Sequence, residues 1–262
     1  MLTILGHTYN INTKTIYLGG LDEFSDELTD KLTNFGKLKT LRIYHGNIKE
    51  IPESLGHLIN LKSLFLHYNR IKEIPNGFSK LFNLQQLDLR HNKIKEISNS
   101  FGDLINLKSL FLHYNRIKEI PNGFSKLFNL QQLCLNYNKI KKIPNSFGDL
   151  INLKILCLKC NRIEEIPNSF GNLVNLNGLW LTHNKIEEIP ISIINLTRLT
   201  NFYYSDNEIQ NISPIVQRFL DRIENRGSNI HNVYNDTQNA HASSIQKSVK
   251  DSIIRILSLR NY

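Results

Sequence analysis

The sequence contains few cysteines and no long apolar run. Only three cysteines occur among 262 residues, an odd number that is too sparse for a disulfide scaffold and suits a reducing compartment. No window reaches the roughly 18 uninterrupted apolar residues that a membrane-spanning helix requires. The first seven residues also lack the basic start and the apolar core of a signal peptide. These absences predict a cytoplasmic, intracellular protein without a membrane span.

Sequence motifs that carry catalysis are missing as well. The chain contains no phosphate-binding loop, no dinucleotide glycine motif, no nucleophile elbow and no H-E-x-x-H pair. The sequence therefore predicts a protein that is not an enzyme and has no cofactor. The formal net charge of +9 permits acidic partners, although net charge describes encounter and solubility rather than mechanism.

What the sequence does contain is an internal repeat with a constant step of 23 residues. The segment from Lys62 to Leu87 even recurs letter for letter from Lys108 to Leu133, as a duplicated pair of repeats. Such a period is the signature of a solenoid. The clearest column consists of asparagines at one phase: Asn69, Asn92, Asn115, Asn138, Asn161, Asn184 and Asn207.

One repeat predicts a strand, a turn and a short return segment. Leu110 and Leu112 alternate as strand residues do, so Phe111 lies on the opposite face. Pro121 ends the extended pairing, and the apolar residues that follow at steps of three are expected to point inward. A single unit cannot bury this wedge, so stacked units form a parallel sheet along one side. The asparagine column lies where the strand bends away, and we interpret it as a structural ladder that satisfies backbone groups.

The repeat pattern L-x-L-x-x-N-x-I-x-x-I-P-x-x-F-x-x-L-x-N-L resembles the leucine-rich repeat family. The match is to the 23-residue form with proline after the last core isoleucine, from about Leu41 to Ser213. The resemblance implies an α/β solenoid. It has the shape of a curved horseshoe, with a parallel β-sheet on the concave face and short helical or turn segments on the convex face. Intracellular relatives of this type usually serve as protein-binding scaffolds. The lysine, asparagine and isoleucine bias also resembles chains from AT-rich genomes, such as those of amoebae and large protist DNA viruses.

Three parts are expected along the chain. Residues 1–40 form an N-terminal cap and a divergent first repeat, with strands at 9–11 and 15–18 and a helix capped by Asp22 or Ser25. Residues 41–213 hold about eight repeats. Residues 214–262 form a C-terminal helical cap, opening at Pro214, and a polar and helical tail. The tail helix from Ser243 to Leu259 folds back on the cap, binds a partner or lies on a membrane surface.

The candidate site follows from the strand residues that face away from the core. Successive strands lie about 4.8 Å apart, so the column between the core leucines forms a strip of about 35 Å with four exposed aromatics. Aromatic and arginine side chains dominate binding hot spots. We therefore predict that a protein or peptide binds at Phe65, His67, Tyr68, Arg90, Phe111, His113, Tyr114, Tyr137, Lys159, Trp180 and Tyr203. The alternative is that these rings only stack on one another and stabilise the sheet.

Two other kinds of site are weakly indicated. Cys157 and Cys160 form a C-x-x-C beside Cys134, but no second pair completes a zinc site, and a strand position lacks the helix start that activates a redox thiol. Lysines and arginines recur at the sheet edge, but glutamates lie beside them, so a nucleic-acid surface is not favoured. The sequence thus predicts no metal.

The preferred function is a non-enzymatic protein-interaction scaffold, with the monomer favoured. Two alternatives stay open at the level of sequence. One is an adaptor whose repeats hold a substrate while the C-terminal helix recruits a ubiquitin ligase or a phosphatase. The other is a basic protein associated with RNA or with a membrane.

Overall fold

The computed structural model describes residues 1–227, and the chain divides into the units Met1–Leu220 and Asp221–Tyr262. The predicted tail helix from Ser243 to Leu259 lies outside the described residues. The strands are β1 (Leu2–Ile4), β2 (His7–Tyr9), β3 (Thr15–Gly19), β4 (Thr40–Tyr44), β5 (Ser63–Phe65), β6 (Gln86–Asp88), β7 (Ser109–Phe111), β8 (Gln132–Cys134), β9 (Ile155–Cys157), β10 (Gly178–Trp180) and β11 (Asn201–Tyr203).

Strands β3 to β11 form one parallel sheet in which sequence neighbours are also neighbours in space. The register advances by one repeat from strand to strand, so Leu87 pairs with Leu64 on one side and Leu110 on the other. This arrangement confirms the predicted leucine-rich repeat solenoid with its parallel sheet. The leucines between the strand ends and the turns are fully buried, because each repeat covers the apolar face of the one before it.

The N-terminal strands differ in part from the prediction. Strands β1 and β2 form an antiparallel hairpin whose turn residues Leu5 and Gly6 both have positive φ, as a two-residue hairpin turn of type I′ requires. The strand predicted at 9–11 is wrong, because β2 ends at Tyr9 and Asn10 starts a turn. The side-chain Oδ1 of Asn10 accepts a hydrogen bond from the Asn12 amide at 2.8 Å. The strand predicted at 15–18 is present as β3.

Two α-helices flank the repeats in the sequence. Helix α1 (Asp26–Thr33) starts at Ser25, whose Oγ accepts a hydrogen bond from the Leu28 amide at 3.3 Å. Of the two capping candidates, Ser25 is therefore the one used. Helix α2 (Pro214–Gly227) begins at the predicted proline.

The return segments of the repeats are short 3₁₀ helices. A proline precedes six of them, and its extended conformation brings the chain out of the turn before the helix begins. Five of the seven contain a buried phenylalanine, and the rings of Phe101 and Phe124 lie 5.6 Å apart between centroids. These helices are Glu53–His57, Asn76–Lys80, Asn99–Asp103, Asn122–Lys126, Asn145–Asp149, Asn168–Asn172 and Ile191–Asn195.

The asparagine column binds each repeat to the one before it. Asn115 Oδ1 accepts from the Ile94 amide at 3.0 Å, and its Nδ2 donates to the carbonyls of Leu89 and Leu112, each at 3.0 Å. The other six asparagines make the same three bonds. Gly46 takes this phase at the start of the ladder, because a Cβ there would collide with the Leu21 carbonyl oxygen.

Replacing Asn138 by leucine is expected to lower the free energy of unfolding by about 1–3 kcal/mol, because buried backbone groups lose their partner. These groups are the Ile117 amide and the Leu112 and Leu135 carbonyls. Urea unfolding measures the change, with Asn145→Leu at an exposed position as the control. Equal loss of stability in both variants would contradict the structural role of the asparagine ladder.

Candidate functional site

The outward-facing column of the strands is more buried than the sequence suggests. Phe65 is only 8% exposed, because the Arg42 guanidinium covers it with Cζ 3.8 Å from the ring centroid. Phe111 and Trp180 are half-buried, and Tyr203 is exposed. The expectation of four solvent-exposed aromatics in this column is therefore wrong for Phe65. A cation–π contact within the sheet replaces the expected contact with water.

Trp180 and Tyr203 form a separate pair at the C-terminal end of the sheet. Their ring centroids are 5.8 Å apart with planes at 22°. The indole folds back over its own strand, where a Cβ at Gly178 would collide with the ring. The missing side chain at Gly178 thus makes room for the indole.

A buried carboxylate lies at the centre of the strand face. Asp88 is paired in register with Phe65 and Phe111. Its Oδ2 is 3.1 Å from Arg90 Nε, at ion-pair distance rather than in hydrogen-bond alignment, and its Oδ1 accepts from the Arg90 amide at 3.2 Å. Burial raises the pKa of Asp88 to about 6, against the opposing effect of Arg90. This carboxylate therefore compensates part of the positive charge on the strand face.

Two of the predicted histidines are held neutral. Burial lowers the pKa of His67 and of His113 to about 3, and the charge of Arg90 acts in the same direction. His67 is 3% exposed and its Nδ1 lies 3.4 Å from Asp88 Oδ2. His113 is half-buried, with its ring edge-on to Phe111 at 6.4 Å. His67 is therefore buried beneath the outward side of the strands and does not itself present a surface to a partner.

A continuous stack of rings runs along the edge where the chain leaves the strands. We call this stack the ring ladder. Adjacent centroids are 4.2–4.6 Å apart and the planes lie within 14° of parallel. The three tyrosines remain 38–42% exposed, so the rings both stack and face solvent. The members are His45, Tyr68, His91, Tyr114 and Tyr137.

The backbone places the ring ladder. Each member has φ between 53° and 57°, a left-handed conformation that few non-glycine residues adopt. This conformation turns the chain directly after the strand, so that the following asparagine points inward and the ring points outward. His45 and His91 were not among the predicted site residues. The signal that could have found them is their position at the same repeat phase as Tyr68.

The remaining predicted residues border the ladder. Arg90 is half-buried beside Asp88, and Lys159 is half-buried with its amide bound to Asn136 Oδ1 at 2.8 Å. The structure therefore brings the predicted residues from Tyr68 to Lys159 into one strip. The Trp180–Tyr203 pair lies farther along the sheet.

The three cysteines are free thiols. Cys134 and Cys157 are partners in register on β8 and β9. A hydrogen bond with Cys134 and burial raise the pKa of Cys157 well above its usual range, which makes this thiol a poor nucleophile. Within residues 1–227, no three His, Cys, Asp or Glu side chains are grouped as metal ligands would be.

The central repeats match two protein-family models. Residues 53–145 match the model of a leucine-rich repeat region, and residues 128–171 match a model of two leucine-rich repeat copies. Residues 53–171 are leucine-rich repeats. Proteins of this family generally serve as interaction scaffolds, and the fold is typically a non-enzymatic interaction domain. No curated protein sequence matches this leucine-rich repeat chain.

Solved structures share the fold over most of the chain. An internalin (inlF) from Listeria monocytogenes is 29% identical with a TM-score of 0.62, over 76% of this chain and 54% of its own. The leucine-rich repeat ectodomain of the Arabidopsis thaliana receptor kinase GASSHO1/SCHENGEN3 is 29% identical with a TM-score of 0.64, over 75% of this chain and 25% of its own. The plant peptide hormone receptor RGFR1 is 25% identical with a TM-score of 0.57, over 76% and 36%. This chain thus spans about half of the internalin and less of the plant receptors.

No helix among the described residues combines the length and the apolar character needed to cross a bilayer.

Proposed function

We propose that this chain is a non-enzymatic scaffold that binds an acidic segment of a partner protein, or an acidic peptide, along the ring ladder. The observation that carries the proposal is the run of stacked but exposed rings from His45 to Tyr137. Exposed aromatic side chains are the residues that most often dominate binding energy. Partner contact would be made by Tyr68, Tyr114 and Tyr137, with Phe111 and His113 beside them.

The stacking favours binding because it holds the rings in position beforehand. Each inner ring is fixed between two neighbours at 4.2–4.6 Å, so little rotamer entropy remains to be lost when a ligand arrives. The rings follow the line of the sheet edge for about 17 Å, which equals roughly five residues of an extended chain. An extended segment is therefore the shape of ligand that fits the ladder.

The charge on the strand face favours an acidic ligand. Arg42, Arg90 and Lys159 are half-buried there, and Asp88 is a buried carboxylate that compensates only part of their charge. Complementary charge increases association rates and disfavours partners of the wrong sign. We therefore expect the ligand to combine acidic side chains with apolar ones that pack on the tyrosines.

Two of the similar structures were solved with a ligand. The GASSHO1/SCHENGEN3 ectodomain is in complex with CASPARIAN STRIP INTEGRITY FACTOR 2, and RGFR1 is in complex with RGF2. These complexes support a protein or peptide ligand for the present solenoid.

The test is capture of binding proteins with a ladder variant. Changing Tyr68, Tyr114 and Tyr137 together to asparagine, which tolerates the left-handed backbone, should reduce capture of the specific partner at least tenfold. The intact chain, this variant and Ile191→Ser are immobilised and exposed to lysate of the cells that make the protein. Bound proteins are then quantified by mass spectrometry.

Ile191 is 57% exposed and lies on a 3₁₀ helix away from the ladder, so its replacement controls for the general loss of an exposed apolar group. Thermal melts establish that all three chains are folded. The proposal is refuted when the triple variant retains every protein that the intact chain binds in the same amount.

A further inference from the structure

A second exposed apolar surface lies on the other edge of the repeats. We call it the apolar ridge. It consists of one residue per repeat at the same phase, and each of these side chains is 46–55% exposed. A regular column of exposed large apolar side chains is not needed for the core and indicates an interaction surface. The ridge is formed by Ile59, Phe82, Ile105, Phe128, Ile151 and Val174.

The position of the ridge separates it from the ring ladder. Each ridge residue follows a 3₁₀ helix and precedes a strand; for example, Phe82 lies between Lys80, the last residue of its helix, and Gln86, the first of β6. The ring ladder instead lies where the chain leaves the strands. A molecule bound at the ridge would therefore leave the ladder accessible.

The backbone under the ridge is rigid because a second asparagine column fixes it. Asn83 Nδ2 donates to the Ile59 carbonyl at 2.9 Å, and Asn106 Nδ2 to the Phe82 carbonyl at 2.8 Å. The next three repeats repeat this bond at 2.8–2.9 Å. The ridge therefore presents its side chains at one fixed spacing from repeat to repeat.

A row of exposed charges runs beside the four central members of the ridge, two residues earlier in each of these repeats, and its sign alternates. The row reads Lys80, Asp103, Lys126 and Asp149. Lys126 Nζ lies 3.5 Å from Asp103 Oδ1, so neighbours in the row are close enough to pair. The alternation has its origin in the two-repeat duplication, which brings the same residue back at every second repeat.

We propose that the apolar ridge is a homodimer interface, in which two copies pack ridge against ridge in antiparallel orientation. The two-fold axis lies in the interface and crosses the ridge between Ile105 and Phe128. It places Ile105 opposite Phe128 of the second copy, and Phe82 opposite Ile151. The charge rows then meet on the same side, with Asp103 opposite Lys126 and Lys80 opposite Asp149.

Charge complementarity favours this register over a shift by one repeat and over a parallel arrangement. A shift by one repeat places Lys80 opposite Lys126 and Asp103 opposite itself, so like charges face each other. A parallel arrangement moves the two charge rows to opposite sides of the interface and leaves them unpaired. In the antiparallel register both copies contribute the same surface to the interface, as two-fold symmetry requires.

The area is adequate for an interface of this kind. Half-exposed side chains of this size present on the order of 90 Å² each, so the six offer roughly 500 Å² of apolar surface per copy. The flanking charged and asparagine side chains add to this area. A standard interface buries about 800 Å² per partner, and the whole face approaches that value. The same face therefore has an apolar centre and a polar rim.

The first experiment measures the dimer directly. Sedimentation equilibrium of the full chain from about 1 to 100 µM should show a monomer–dimer equilibrium. Phe82→Ser with Phe128→Ser should raise the dissociation constant at least tenfold, whereas Ile191→Ser, which removes an exposed apolar side chain outside the ridge, should leave it unchanged. A monomer at every concentration, or a ridge variant that dimerises like the intact chain, overturns the proposal.

The second experiment tests the register by mixing. In the proposed register, Lys80→Asp makes two carboxylates face each other across the interface, and Asp149→Lys makes two ammonium groups face each other. Each variant alone should therefore dimerise at least fivefold more weakly at low salt. An equimolar mixture should form heterodimers at the affinity of the intact chain, because both contacts between positions 80 and 149 then join a carboxylate to an ammonium group. If the mixture associates as weakly as the separate variants, the two copies do not meet in this register and the proposed interface is wrong.

Discussion

Acidification from pH 7 to pH 4 is expected to lower the free energy of unfolding by about 4 kcal/mol through three buried groups on the strand face. The pKa of His67 and of His113 is about 3 in the folded chain, against an ordinary value of 6.5. Between these values the unfolded chain binds protons that the folded chain does not. Each histidine therefore destabilises the fold by about 3 kcal/mol at pH 4.

Asp88 acts in the opposite direction. Burial raises its pKa to about 6 from 3.8, so the folded chain holds a proton on this carboxyl that the unfolded chain releases between pH 6 and 3.8. Acidification to pH 4 therefore removes a cost of about 2 kcal/mol. The two histidines outweigh the single carboxyl, and the net effect is a loss of stability as the pH falls.

A variant comparison isolates one histidine. In His113→Gln, the difference in unfolding free energy between pH 7 and pH 4 should shrink by about 3 kcal/mol relative to the intact chain. Urea unfolding at both pH values measures it, and His7→Gln, at an exposed position, is the control. The same difference in all three chains would mean that His113 is protonated in the folded state, contrary to its burial.

Replacing Leu110 by alanine is expected to destabilise the solenoid by about 2–5 kcal/mol. Leu110 is fully buried and pairs in register with Leu87 and Leu133. Its loss leaves a cavity that borders three repeats, and the asparagine ladder that joins these repeats limits how far they can close it. Urea unfolding measures the loss from the midpoint at a constant slope.

The matched control for this prediction is Ile191→Ala, where an exposed side chain is shortened. Its unfolding free energy should stay within about 0.5 kcal/mol of the intact chain. A small loss at Leu110 as well would show that the repeats close the cavity, and that the stacking of leucines contributes less to stability than their burial indicates.

The ring ladder and the apolar ridge each contain a pair of aromatic residues that comes from the two-repeat duplication. Tyr68 and Tyr114 occupy identical positions in the duplicated segment, and so do Phe82 and Phe128. One duplication therefore produced both a ring pair on the exit edge and an aromatic pair on the entry edge. If the dimer forms, its two ring ladders can bind two copies of one ligand, which raises the apparent affinity for a partner with repeated segments.

The candidate site could be predicted only in part. The position of a residue within the 23-residue repeat follows from counting along the sequence. Counting placed Tyr68, Tyr114 and Tyr137 at one phase, and Phe65 and Phe111 at another. Exposure does not follow from counting, because it depends on the neighbouring strand. Phe65 is covered by Arg42 and His67 is buried beside Asp88, contacts between residues 21–23 positions apart that join different repeats.

The 23-residue period settles the architecture, because an apolar wedge that recurs at a constant step can be buried only by stacking. The period also identifies the asparagines that satisfy the turn backbone. The tertiary structure decides which outward side chains meet solvent and which meet each other. The physical reason is that a left-handed residue after each strand aligns rings from successive repeats at 4.2–4.6 Å, a distance set by strand spacing and backbone twist rather than by any one repeat.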